Sequence, residues 1–361
     1  MTGPGGRRIY LDWNATAPLR PEARAAMLRA MDMVGNPSSV HAEGRAARAV
    51  VERARAQVAA LAGCEADEVV FTAGATEAAS LVAAQTGGFA ALTVEHDCVF
   101  AHATAEIPVS RDGIHDPVQV PVAKLVAIQA ANSETGVLQP LGGRTAGTPL
   151  VTDAAQALGK VVFRFDQTGA IFALASAHKL GGPKGIGALI VAAGTPLVPV
   201  LKGGGQEQGR RSGTENVVGI AGFGAAAEAA RHGLEEGVWD RAATRRDDLE
   251  AHLESTAPDL IIIGRGAPRL PNTSCFALPG WPGETQVMQM DLAGFAVSAG
   301  SACSSGKVER TSRALRAMGF DAAAASSALR VSLGPTTTEA EVLAFADAWI
   351  DCYRRRNSRA A

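Results

Sequence analysis

Cysteine is scarce in this chain, and what there is follows no pattern. Five occur in 361 residues: Cys64, Cys98, Cys275, Cys303 and Cys352. An odd count without paired spacing gives neither a disulfide framework nor a zinc-type ligand set. It fits a reduced cytoplasm, where a special cysteine is a thiol rather than half of a bridge. Long apolar runs are missing as well. Stretches such as "IGALIVAAG" fall well short of the roughly 20 residues that cross a bilayer. The beginning, "MTGPGGRRIYLDW", has two arginines but no apolar core, so it does not read as a secretory signal. Nor is there an excess of one charge. The formal net charge is −2, which implies no broad basic face for nucleic acid or an anionic membrane. Repeats and long linkers are absent too.

What remains is a chain rich in core-forming residues, 47% hydrophobic, long enough for one large domain and a smaller one. "RPEARAAMLRAM" reads as a helix with Pro21 in its first turn. "GRAARAVVERARAQVAALAG" reads as a second, with Val50, Ala54, Val58 and Leu61 as its apolar stripe and Gly63 as its cap. Short, nearly continuous apolar runs follow: "EVVFTAG", "ALTVEH", "KLVAIQAAN", "LVTDAAQ", "IFALASAH" and "IGALIVA". Such runs mark parallel strands buried on both faces. Ligands collect at the carboxyl ends of strands in sheets of this kind. Polar residues recur there: Thr76, His96, Asn132, Asp153, then Ser176 and Lys179. From about residue 237 the pattern turns to a smaller α+β arrangement. It closes on a helix with Thr338 and Glu341 as a capping box and a tail, "RRRNSRAA", expected to fray.

"SAHKLGGPKGIG", residues 176–187, poses the chemical question. Glycines beside lysine suggest a phosphate loop, but that motif needs Gly-Lys-Ser/Thr opening a helix. Here Lys184 leads into Gly-Ile-Gly and a strand, so the nucleotide reading fails. Lys179 instead sits at a strand end among small apolar residues. Desolvation lowers a lysine's pKa and makes it an amine able to form a Schiff base. With pyridoxal phosphate, such chemistry needs a carboxylate for the pyridine nitrogen. Asp153 in "TDAAQ" supplies one, with Gln156 three residues on, although alone Asp153 reads as a helix cap. "TAGATEAAS" offers a glycine turn, Thr76 and a helix start for the phosphate. Alone, it reads as a routine capped helix.

These segments resemble the class V aminotransferases, and among them the cysteine desulfurases of the NifS/IscS type. Further stretches carry the likeness in family order: "YLDWNATAP", "GNPSSVHAEGR", "EHDCV", "ANSETGV", "VTDAAQALGK", "GGGQEQGRRSGTEN", "SAGSACSSGK" and "LRVSLG". The resemblance implies the fold of type I pyridoxal-phosphate transferases. That is an α/β protein with a three-layer αβα large domain on a mostly parallel sheet, plus a smaller α+β domain. Residues 16–236 would form the large domain, and 1–15 with 237–361 the small one. Lys179 would bind pyridoxal phosphate as a Schiff base. Asp153 would pair with the pyridine nitrogen, Gln156 with the ring oxygen, and His96 would stack on the ring and shuttle protons. Ala75, Thr76, Ser176 and His178 would bind the phosphate. Thr214 would reach the phosphate of a neighbouring subunit, which implies a homodimer. Arg330 would hold the substrate carboxylate. Cys303, in the small, polar loop "SAGSACSSGKVERTS", would take sulfur from L-cysteine as a persulfide and leave L-alanine. Alone, a cysteine is more often an inert hydrophobe. An acceptor such as an iron–sulfur scaffold protein would follow. The other four cysteines lie in helical or strand patterns and read as packing.

Three departures mark this chain. Where the family has Asn-Asn-Glu it has Asn132-Ser133-Glu134, so either Asn132 or Ser133 is left to contact cofactor and substrate. Gln208 stands where a basic residue is common. Several segments of the large domain look trimmed. Two rival readings stay open: a selenocysteine lyase or another class V lyase or transaminase, which would not need Cys303, and a non-catalytic scaffold of the same fold.

Overall fold

The computed structural model describes residues 8–142, 147–300 and 311–360. Strand β1 (Ile9–Tyr10) opens it. A seven-stranded sheet then takes β2 (Val69–Thr72), β3 (Phe89–Leu92), β4 (Ala103–Ile107), β5 (Val126–Ala127), β6 (Leu150–Asp153), β7 (Phe172–Ser176) and β8 (Gly187–Val191). Its order is β2-β8-β7-β6-β5-β3-β4. Pairs from β4 through β7 are parallel, and β8 runs antiparallel to both β7 and β2.

Alternation along the strands explains why the runs look continuously apolar. Phe71, Ala173, Ala175 and Ile190 join a core beneath the helices Ala42–Ala62 and Val217–Glu235. Val70, Phe172, Leu174 and Leu189 point the other way, against Leu81 and Val82 of the helix Ala75–Thr86. With helices on both faces, most positions of the inner strands are apolar. The result is an αβα sandwich.

A second, antiparallel sheet contains β9 (Ile261–Ile262) and β10 (Thr273–Ala277); β11 (Phe295–Ala296) pairs in parallel with β1; β12 (Ser298–Ala299) and β13 (Ala328–Ser332) complete the order β12-β13-β10-β9. The helices Val238–Thr256 and Glu339–Ala360 cover it through Leu249, Leu253, Phe345 and Trp349. Ile9 and Leu11 join the same core.

Local rules account for the helix ends. Pro21 starts the first helix. Gly63, at φ 65°, closes the second in the left-handed region. Thr338 and Glu341 exchange capping hydrogen bonds at the last. Two details differ from expectation. Val51, not Val50, is the fully buried stripe residue of the second helix. The tail, expected to fray, continues the helix to Ala360. Arginine propagates a helix well, and Arg356 also donates to the Gly280 carbonyl.

Among the described residues no helix is long and apolar enough to cross a membrane. At the open edge of the large sheet, β2 meets a buried ion pair. Arg55 and Glu207 join through two hydrogen bonds. Arg55 also donates to the Val69 carbonyl, and Glu207 accepts from the Phe71 N–H. Glu207 and Gln208 hold this position with φ of 50° and 57°, in the left-handed region.

Helix-on-helix packing rests on Gly224. A Cβ there would stand 2.5 Å from the Ala54 Cα. Gly224→Ala is therefore expected to destabilise by about 1–3 kcal/mol through overpacking, outweighing the roughly 1 kcal/mol that helix propensity favours. A lowered urea midpoint is the expected reading; a raised one would mean the helices part freely.

Candidate active site

The carboxyl ends of the parallel strands converge on a cavity of about 620 Å³. β7 ends at Ser176, and one turn, Ala177–Lys179, delivers Lys179. Its Nζ donates to the carbonyls of Asn14 (2.8 Å) and Ala15 (3.0 Å). β6 ends at Asp153, whose Oδ1 accepts from Ala155 N–H at 2.9 Å. β3 leads to His96, which caps a short turn through Nδ1. β2 leads through Gly74 to the first turn of the helix Ala75–Thr86. Close approach makes glycine necessary opposite that turn. A Cβ on Gly187 would lie 2.4 Å from the Ala175 carbonyl and 2.7 Å from the Gly74 Cα.

The cavity brings together Ala75, Thr76, His96, Ser133, Asp153, Gln156, Ser176, His178 and Lys179. Three other residues proposed from sequence lie elsewhere. Asn132 is buried. Its Oδ1 accepts from the N–H groups of Glu134 and Thr135, and its Nδ2 donates to the Val94 carbonyl. It shapes the turn that presents Ser133 to the cavity. Arg330 stands behind Ser133, donating to the Ser133 carbonyl (2.9 Å) and to Asp12 (2.7 Å). Thr214 is exposed and borders a neighbouring pocket of about 250 Å³, which shares Ala73 and Gly185 with the main cavity. Cys303 lies outside the described residues.

Three residues of the site had no role in the sequence reading. Asn14 is wholly buried, and its carbonyl accepts from both Lys179 and Gln156. Lys160 is buried and donates to Asn14 Oδ1 and Gln156 Oε1. Cys98, read as packing, instead lines the cavity, with Sγ 3.1 Å from His96 Nδ1. Nδ1 also faces the Cys98 N–H at 3.2 Å. A nitrogen that accepts from a backbone donor is unprotonated, so the thiol donates to it and Nε2 carries the neutral ring's proton. Only the spacing "EHDC" could have hinted at this pair.

Burial dominates the electrostatics. It pushes Asp153 above the ordinary carboxylate range, while the Ala155 N–H, His96 and Lys179 pull it back. Glu95, next to His96, is pushed up to about 8 by burial and then by Asp153. His178 is driven down to about 4 by burial and the nearby lysines 179, 184 and 160.

A mostly parallel sheet with helices on both faces, and a lysine at the end of β7, is the fold-type-I architecture of pyridoxal-phosphate-dependent transferases. Residues 9–345 match the family "Aminotransferase class-V", and the chain belongs to that family. A cysteine desulfurase of Cereibacter sphaeroides is 42% identical over 366 residues, covering 93% of each chain. A NifS-like protein of Rickettsia africae superposes with a TM-score of 0.87 at 31% identity, over 96% of this chain and all of that one. SspA, solved in complex with cysteine, gives 0.73 at 27% identity, over 91% of this chain and 100% of its own.

The depressed His178 has a testable sign. Its folded value near 4 lies below the ordinary value of about 6.5, so between them the unfolded chain binds more protons. This group therefore adds to stability as pH rises through that window, and the gain is complete above it. In cofactor-free protein, His178→Gln should cost more stability at pH 7.5 than at pH 5 relative to the unaltered chain. Urea midpoints at the two pH values check this, and an equal cost at both would contradict it.

Proposed function

We propose that this protein is a pyridoxal-phosphate-dependent cysteine desulfurase, acting in the reduced cytoplasm as a homodimer. The carrying observation is the convergence of Lys179, Asp153, Gln156, His96, Ser176 and His178 on one cavity. This donor set fits the cofactor. Asp153 is a buried carboxylate suited to a ring N–H, Gln156 offers an amide, and the helix Ala75–Thr86 turns its N-terminus and Thr76 to the cavity. A neutral His178 beside Ser176 adds a donor for phosphate without the cost of a buried charge. When bound, pyridoxal phosphate supplies an electron sink for bonds made and broken at the substrate's α-carbon.

The chain's own residues do the rest. Lys179 would hold the cofactor through its amine and is placed to move the substrate's α-proton. Asp153 favours a protonated ring nitrogen. His96, fixed through Nδ1, presents Nε2 for proton transfer. Ser133 offers a hydroxyl at the cavity wall, and Arg330 behind it is the candidate for the substrate carboxylate. That role requires its fork to be shared with, or released from, Asp12. Thr214, exposed beside the site, is the candidate contact to a partner subunit's phosphate. In the net reaction the Cys303 thiol bonds to the substrate sulfur and the carbon–sulfur bond breaks. The carbon keeps the electron pair and takes a proton, giving L-alanine and a Cys303 persulfide. An acceptor such as an iron–sulfur scaffold protein would then receive the sulfur. Packing of Ile9 and Leu11 with the second core supports a small domain of residues 1–15 and 237–361 against a large domain of 16–236.

Incubation of the purified protein with L-cysteine in the absence of reductant tests this reading. Sulfur on the Cys303 peptide by mass spectrometry, with matching alanine, is the expected result. Lys179→Ala should lose the visible cofactor band and alanine formation together. Alanine at full rate from Cys303→Ala would instead indicate another type of class V lyase.

A further inference from the structure

Lys160 takes no part in the chemistry above, yet it is only 2% exposed and lies beside the site. Its Nζ donates to Gln156 Oε1 at 2.5 Å and to Asn14 Oδ1 at 2.8 Å. Gln156 Nε2 in turn donates to the Asn14 carbonyl at 3.0 Å. Asn14 is itself locked. Asn272 donates to its Oδ1, and its Nδ2 donates to Thr273 Oγ1 and the Ser133 carbonyl.

The two ends of a glutamine amide are alike in shape and opposite in hydrogen bonding. The Asn14 carbonyl can only accept, so the end that faces it must be the amide nitrogen, which leaves the oxygen on Lys160. With Oε1 on Lys160 and one Nε2–H on Asn14, the second Nε2–H is what Gln156 has for the cavity it lines. The surroundings agree with this arrangement. Burial, reinforced by Lys179 and Arg330, drives the Lys160 pKa well below the ordinary lysine value. Gln156 Oε1 and Asn14 Oδ1 are both acceptors, so Lys160 meets each with an N–H bond in either protonation state.

We propose that Lys160 is a positioning residue that fixes Gln156 as a hydrogen-bond donor to the cavity, so that the site selects a cofactor with an anionic oxygen there. This rests on the pyridoxal-phosphate reading, in which the ring oxygen is that acceptor. Donation to a phenolate favours its deprotonated form. Lys160 thereby tunes the proton affinity of the bound chromophore without touching it.

The test uses the full chain, stripped of cofactor, as Lys160→Met, Gln156→Met and the double variant. Two quantities are read: pyridoxal phosphate affinity, and the pH at which the bound cofactor's visible band titrates. Each single variant should weaken binding about tenfold, the worth of one hydrogen bond to a charged group, and raise the titration midpoint. The double variant should be no worse than either single, because both changes remove the same contact. Full additivity would reduce Lys160 to a folding role and overturn the assignment.

A second comparison leaves Lys160 intact and guards against misfolding of the methionine variant. Gln156→Glu keeps an acceptor for Lys160 but loses the donor. Cofactor-free Gln156→Glu should melt above Gln156→Met while binding cofactor as poorly. The reverse melting order would also overturn the assignment. Failure of the unaltered protein to take up pyridoxal phosphate would sink the functional reading itself, and this one with it.

Discussion

One buried amide, that of Asn14, ties the parts of this molecule to one another. Its backbone N–H donates to Ser332 on β13, and its side chain reaches Asn272 and Thr273 at the start of β10. Its carbonyl takes Lys179 and Gln156 from the large sheet, and its Oδ1 takes Lys160. Both sheets and the reactive lysine are thus registered against a residue with no exposed surface. In a low-dielectric interior a fully satisfied network of this kind is rigid, because each displaced member strands a buried partner. Directional bonds thus add to the apolar packing of Cys275, Ala277 and Ala328 in fixing the smaller sheet against the cavity.

The same neighbourhood concentrates buried carboxylates. Burial raises the proton affinity of both Glu95 and Asp153, and the neighbouring Asp153 raises that of Glu95 further. Two such groups do not ionise together easily. Glu95, with a value of about 8, is mostly protonated at neutral pH. Asp153, with an N–H, an imidazole and a lysine favouring its charge, is the one equipped to stay ionised. The division of labour follows from position: Asp153 opens on the cavity, whereas Glu95 is sealed behind it, holding the Gln129 N–H.

The sequence reading succeeded where the physics is local or periodic. Six buried strands announced themselves as apolar runs because helices cover both of their faces, and the polar residues at their ends marked the cavity. β4 escaped notice because it is an edge strand with "TAE" exposed, so no apolar run signals it. Asn14 and Lys160 escaped for another reason. Each is a polar residue in a stretch that reads as loop, and its value comes from partners more than a hundred positions away, such as Asn272 for Asn14 and Asn14 for Lys160. Cys98 was taken for packing, since nothing in a linear sequence says which way a thiol points. Between Asn132 and Ser133 the matter was one of backbone direction: the turn consumes the first side chain and presents the second.

The Arg55–Glu207 pair has a consequence for how the protein behaves in company. β2 is the last strand on its side of the sheet, and its outward Val69 carbonyl and Phe71 N–H are taken by these two side chains. The pair stands in for the strand that would otherwise lie there. An uncovered apolar edge is a template for pairing with another chain, and β2 is wholly apolar apart from Thr72. The ion pair therefore blocks edge-to-edge self-association as well as holding a loop, a service paid in the strained backbone of Glu207 and Gln208 and visible only when many copies of the chain are crowded together.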